Sequence, residues 1–202
     1  MHTKLKIIGC GGHSKVVIDA LSTNLTPYEI TLCDDNPRLL GTEFLGFLID
    51  SNLKEISSFS GYVHVAIGNN EIRKRLFASF PATLKPLTIT HSAAIVSKSA
   101  RVMDGVFIAA RAILAPECSV GVGSIINHGA VVDHEVKIGP FTHIAPNSTL
   151  GGGVAVGEGV LVGAGAVVLP NVIIGDKAVI GAGAVVVNNV NSGSVVKGIP
   201  AA

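Results

Sequence analysis

The stretch VAVGEGVLVGAGAVVLPNVIIGDKAVIGAGAVVV, residues 154–187, decides the fold. Within it Val156, Val162, Val168, Ile174, Ile180 and Val186 recur every six residues. Six is neither the 3.6 of an amphipathic helix nor the 2 of an alternating strand, so neither element explains it. Followed backwards, the track runs unbroken through Leu150, Ile144, Ile138, Val132, Ile126, Val120, Leu114, Ile108 and Val102 to Val96. Small residues often stand two positions before it, as at Ala112, Ser124, Ala130 and Ala166, and glycine often follows, as at Gly121, Gly139 and Gly157. This pattern predicts an all-β parallel β-helix of hexapeptide repeats. Three hexads close one triangular coil, so residues i and i+18 stack about 4.8 Å apart in parallel strands. Sixteen track positions predict roughly five coils. Gly, Asn and Asp are expected at the corners, where positive φ strains other residues. Faces rich in Val, Ile and Ala, with few charges over residues 160–187, predict a homotrimer in which three prisms cover one another's apolar surface.

Upstream the composition changes. Leu5 to Gly9 reads as a strand, Gly9-Cys10-Gly11-Gly12 as a turn, and Ser14 to Leu21 as a helix with Val17, Ala20 and Leu21 on one face. Glu29 to Cys33 and Tyr62 to Ile67 read as further strands, ending in Asp34-Asp35 and Gly68-Asn69-Asn70, and Glu71 to Phe80 as a charged helix. Strands alternating with helices predict a small Rossmann-like parallel α/β sheet. The expected division is an α/β unit over 1–85 and the β-helix over 86–202. The basic run Arg73-Lys74-Arg75 reads as a solvated helix face.

Composition narrows the function. The 202 residues are 48% hydrophobic and 14% charged, which excludes a disordered chain. A net charge of +1 and 4% aromatics, with no Trp, argue against a nucleic-acid partner. Cys10, Cys33 and Cys118 match no C-x-x-C motif, and their odd number suits a reducing compartment. With neither a signal-peptide pattern nor a membrane-spanning apolar run, the expected location is the cytoplasm.

The hexads, the ending Val196-Lys197-Gly198-Ile199-Pro200-Ala201, the Gly-x-Gly-Gly-His turn from Gly9 to His13, Asp34-Asp35 and Ala66-Ile67-Gly68-Asn69-Asn70 together resemble one family over essentially the whole chain. It is the hexapeptide-repeat acetyltransferases that modify sugars in bacillosamine, perosamine and sialic acid pathways. Ala66 to Arg73 and Asp133-His134-Glu135 are most similar to the branch that N-acetylates UDP-4-amino sugars. The resemblance implies left-handed coils, homotrimers, acetyl-CoA as co-substrate and no metal. It also implies that Gly11, Gly12, His13, Asp34, Asp35 and Gly68 hold the nucleotide part of a UDP-linked substrate.

Acyl transfer to an amine needs a base, because an ammonium is no nucleophile. His134, flanked by Asp133 and Glu135 and off the aliphatic track, is the candidate base. The resemblance gives Glu135 the orienting role, although sequence leaves open which carboxylate reaches the ring. The resemblance also places His143 near the thioester and Gly152, Ala164 and Ala182 along acetyl-CoA. A bare backbone amide near Gly152 would suit an oxyanion, and corner relief explains the same glycine. His128 reads as structural or as part of a subunit contact. The Gly9 to Ser14 turn invites a dinucleotide reading, but Ser14 replaces the third glycine and the α/β unit is only half a dinucleotide fold. A mononucleotide on the amides of residues 11–13, with Asp34 and Asp35 accepting from base or ribose, fits better. The expected reaction is acetylation of the 4-amino group of a UDP-linked 2-acetamido-4-amino-2,4,6-trideoxyhexose. The alternatives are GDP-perosamine N-acetylation, sialic acid O-acetylation and, from another class, a trimeric scaffold without activity.

Overall fold

The computed structural model of the chain describes residues 3–23 and 28–202. The α/β unit consists of β1 (Thr3–Ile8), α1 (Gly12–Ser22), β2 (Tyr28–Cys33), the hairpin β3 (Glu43–Phe44) and β4 (Phe47–Ser51), a 3₁₀ turn (Leu53–Ser58), β5 (Gly61–Val65), α2 (Asn70–Ala78) and β6 (Leu84–Pro86). Its strand order is β3-β4-β2-β1-β5-β6, with every pairing parallel except the hairpin. Leu5, Ile7 and Ile8 of central β1 are all buried, as a strand covered on both faces requires. Asn69 caps α2 by accepting from the Ile72 amide at 2.9 Å, so the helix begins at Asn70, one residue before its charged run. The β3–β4 hairpin has no sequence signal of the usual kind. Its turn places Leu45 at φ 52° beside Gly46 at φ 79°, and leucine seldom takes that conformation. Pro86 is tolerated because β6 is an edge strand and needs no N–H there.

The prism follows the hexads. Ile108, Ile126, Ile144, Val162 and Ile180 pair in one column through parallel two-residue strands, each step being eighteen residues. From Ile108 to Val186 every track residue is buried, whereas Val96 and Val102 lie at the more open first coil. The three faces carry seven, six and five strands, from Ile89–Thr90 to Val195–Val196. The prism is therefore longer than five coils, because strands outside the aliphatic track add to one face. Most positive-φ corners hold Gly or Asn as expected, among them Gly129, Asn147 and Gly165, but others depart from it. Arg111, Glu117, Glu135, Phe141 and Lys177 hold φ of 52–63° where Gly, Asn or Asp was expected. The ladder bonds on either side fix the corner and override the local preference.

The α/β unit rests on one prism face. Ile89, Phe107, Ala109 and Ile125 of that face join Leu5, Ile7, Val17 and Ile18 in a single core. Phe77 of α2 packs edge-on against Phe141, with ring centroids 5.4 Å apart. This docking overturns the solvated reading for Arg73, while Lys74 stays partly exposed and Arg75 exposed. Arg73 is only 1% exposed, Lys74 pairs with Glu158 of the prism, and Arg75 lines a crevice of the α/β unit. Among the described residues no helix is long and apolar enough to cross a membrane.

Candidate active site

His134 follows the strand Val131–Val132, whose second residue points inward, so the chain turns a corner and presents the imidazole outward. Its side chain is 59% exposed. Nδ1 lies 3.2 Å from Glu135 Oε2, and Asp133 Oδ1 instead accepts the His134 backbone amide at 2.7 Å. The structure thus assigns the ring to Glu135. With Nδ1–H donated to a carboxylate, Nε2 keeps its lone pair. Gly152 stands one coil along, and a Cβ there would come within 2.5 Å of His134 Nε2. The Gly152 amide has no hydrogen-bond partner among the described residues, while its carbonyl accepts from Asn171.

His143 occupies a different setting. It is the outward residue of the strand His143–Ile144, and its Nε2 faces Asn127 Nδ2 at 3.1 Å. Burial, and then the Arg73 cation, push its pKa down to about 4 despite a hydrogen bond to the Gly68 backbone. With Gly68, Asn69, Gly159, Leu161 and Lys177 it lines a cavity of about 460 Å³. His13 belongs to this cluster. Its ring is edge-on to Phe107 at 5.2 Å and 6.4 Å from the His143 ring, and burial first, then the neighbouring histidines and Arg73, lower its pKa to about 3. No hydrogen bond, ion pair or ring contact among the described residues joins the His134 cluster to the His143 cluster. Ala164 and Ala182 are exposed and stack one coil apart, with the Gly183 amide bonded to the Ala164 carbonyl at 2.8 Å.

The glycine turn and the paired aspartates meet at the carboxyl ends of β1 and β2. Asp34 uses both oxygens locally, accepting from Cys10 N at 2.8 Å and Asn36 N at 2.9 Å, and Asp35 accepts from Leu53 N at 2.9 Å. The two nevertheless line a cavity of about 390 Å³ with Asn52 and Lys54, and an adjoining one of about 210 Å³ with Gly9, Ile67 and Arg75. Gly9 is demanded by its backbone, at φ 102° and against Ile67. At Gly11 and Gly12 a Cβ would meet nothing within 4 Å and φ is not positive, so protein sterics do not require glycine there. Gly11 caps α1 without a side chain, which leaves the helix N-terminus open. Among the described residues no group of three or more His, Cys, Asp or Glu could hold a metal ion.

The PglD N-terminal domain family matches residues 4–80, and the bacterial transferase hexapeptide (six repeats) family matches residues 153–188. The acetyltransferase domain of PglB from Neisseria gonorrhoeae FA1090, solved with acetyl coenzyme A, is 33% identical over 100% of this chain and 99% of that one, with a TM-score of 0.94. The chain belongs to the hexapeptide-repeat sugar acetyltransferases. A variant of GDP-perosamine N-acetyl transferase from Caulobacter crescentus, in complex with CoA and GDP-perosamine, is similarly 33% identical. That match covers 98% of this chain and 95% of the other at a TM-score of 0.90. WeeI from Acinetobacter baumannii AYE, at 22% identity and a TM-score of 0.67, shares the fold. This sugar acetyltransferase is an acetyl-CoA-dependent N-acetyltransferase on a left-handed parallel β-helix, and the reading as an inactive scaffold is set aside.

Three residues around the His143 cavity of this acetyltransferase were not among the site residues expected from the sequence. Asn127 faces His143, Asn70 donates to the Gly159 and Val160 carbonyls at 3.1 and 3.0 Å, and buried Arg73 donates to Asn70 Oδ1 at 2.7 Å. Asn127 stands one residue after the inward Ile126, just before His128, and its polar side chain off the track was the available signal.

Proposed function

We propose that this enzyme transfers acetyl from acetyl-CoA to the 4-amino group of a UDP-linked 2-acetamido-4-amino-2,4,6-trideoxyhexose, with His134 as general base. The observation that carries this reading is the exposed His134 ring, held through Nδ1 by Glu135 and packed over side-chain-free Gly152. The acceptor nitrogen attacks the thioester carbonyl carbon and gives its proton to His134 Nε2. As the tetrahedral oxyanion collapses, the C–S bond breaks and the proton passes to sulfur, so CoA leaves as the thiol. The free Gly152 amide suits the oxyanion, and the open Ala164–Ala182 column suits the extended pantetheine.

In this reading residues 1–85 hold the nucleotide sugar and residues 86–202 hold acetyl-CoA and the base. Phosphates meet the open N-terminus of α1 at Gly11 and Gly12, with Asp34 and Asp35 bordering the crevice beside it. Gly68 lines the cavity of His143 and His13 packs against that histidine, on the side where the sugar would lie. The separation of the His134 and His143 clusters supports a homotrimer, in which one subunit's His134 faces its neighbour's His143 across the interface. Exposed Ile173 and Val167 supply apolar surface for that contact. Three free cysteines suit a cytoplasmic enzyme.

A second reading, with a GDP-linked 4-amino sugar, draws on the GDP-perosamine complex. A thiol-release assay with acetyl-CoA against UDP- and GDP-linked 4-amino sugars and a hydroxyl acceptor, paired with thermal shift in UDP, GDP and CMP, separates the readings. UDP should raise the melting temperature most. A GDP preference in both assays moves the assignment to the second reading, and release with the hydroxyl acceptor alone refutes both.

A further inference from the structure

Arg73 is buried on α2 without a carboxylate among its partners. Its guanidinium has five N–H donors, and all five are used. Nε donates to the Gly123 carbonyl at 2.5 Å, Nη1 to the Ile67 and Gly68 carbonyls at 2.9 and 3.1 Å, and Nη2 to Asn70 Oδ1 and the Phe141 carbonyl at 2.7 and 3.0 Å. A cation buried against neutral dipoles is a costly way to join two surfaces. Adhesion alone is already provided by Phe77 against Phe141.

The acceptors show what the cation adds. Ile67, Gly68 and Asn70 form the turn after β5, and Gly68 and Asn70 border the cavity that His143 lines. Gly123 and Phe141 are stacked corners of the prism, and Phe141 precedes His143 by two residues. Gly68 and His143 face each other across that cavity's lining. One rigid fork therefore ties the turn and the histidine strand to a common point.

We infer that Arg73 is a positioning residue for acetyl transfer: its fork sets the spacing between the 68–70 turn and His143, and so fixes how the sugar beside that turn meets the prism. This rests on the proposed reading in which Gly68 stands beside the nucleotide sugar and one subunit's His134 faces its neighbour's His143. Lysine cannot substitute, since an ammonium has three donors, lacks the planar fork and cannot serve five acceptors.

The test compares Arg73→Lys, which keeps the charge, and Arg73→Met, which keeps much of the length, in the full chain. Amide hydrogen exchange, acceptor kinetics with acetyl-CoA and CoA affinity are measured for each. Both variants should exchange at residues 68–70 at least tenfold faster while the prism strands are unchanged. Acceptor kcat/KM should fall at least tenfold, with CoA affinity within twofold of the parent. Parental exchange at 68–70 in Arg73→Lys overturns the inference. So does a lowered melting temperature with unchanged acceptor kcat/KM, which leaves Arg73 a purely structural tie. If both variants unfold, Asn70→Ala is compared with Asn70→Asp. Both lose the donation to the Gly159 and Val160 carbonyls, and only Asn70→Ala loses the oxygen that accepts from Arg73. Exchange at 68 and 69 should therefore be at least threefold faster in Asn70→Ala than in Asn70→Asp, and equal rates overturn the inference. If the parent chain releases no CoA with any amino sugar, the functional reading fails, and the exchange result still decides the geometric role.

Discussion

Gly152 leaves open the space that the His134 ring fills: a Cβ on Gly152 would lie 2.5 Å from Nε2 and 3.1 Å from Nδ1. The two residues share a corner of the prism one coil apart, with the Gly153 amide bonded to the His134 carbonyl at 3.0 Å. Gly152→Ala should push the exposed ring aside without disturbing the coil, so turnover falls at least tenfold, by about 1.4 kcal/mol of barrier, while the melting temperature holds. Gly139→Ala should do the opposite. A Cβ there meets Gly157 and Glu158 backbone atoms at 2.5–2.7 Å, and overpacking costs about 1–3 kcal/mol. Thermal unfolding and steady-state kinetics on the two variants check the contrast.

His134→Ala should lower turnover roughly 10²- to 10⁴-fold, the usual worth of a general base, with CoA and nucleotide affinity nearly unchanged. Raising pH should partly rescue it, because more of the acceptor amine is then unprotonated. Glu135→Ala should cost less, since it leaves the imidazole in place but less well oriented. A His134→Ala enzyme with parental turnover across the pH range removes the base assignment.

Glu135 holds φ 61°, a left-handed corner that costs a side-chain-bearing residue about 1–2 kcal/mol relative to glycine. Glu135→Gly should therefore raise the melting temperature while lowering turnover, a separation of stability from activity. Calorimetry and the thiol-release assay on one preparation test it. A loss of stability would mean that the carboxylate contributes more to the fold than its strained backbone costs.

Stability should fall on mild acidification. Burial lowers the pKa of His64 and His143 to about 4 and of His13 to about 3, all below the usual 6.5. Between about 6.5 and 4 the unfolded chain binds more protons than the folded one, so stability rises with pH across that window and levels off above it. His64 Nδ1 is bonded to the Leu87 carbonyl at 2.8 Å, whereas its Nε2 and that of His13 are buried without partners. Charging either ring would bury a further unpaired N–H donor. Melting temperatures from pH 4 to 8 give the profile, and a flat curve from 6.5 to 4 contradicts it.

The sequence by itself determined the prism. Burial is non-directional, so an aliphatic side chain every six residues suffices to specify a three-sided coil, and Ile108, Ile126 and Ile144 are legible as a column without coordinates. The strand–glycine turn–helix start of the α/β unit was legible for a similar local reason. Only the tertiary structure decided which polar groups meet. Glu135 rather than Asp133 holds the His134 ring, His13 lies with His143, and Arg73, which reads as one more charge on a helix, turns inward to carbonyls 50 and 68 residues away. Hydrogen bonds depend on tenths of an ångström and on direction, and those are set only when α2 docks on the corners at Gly123 and Phe141.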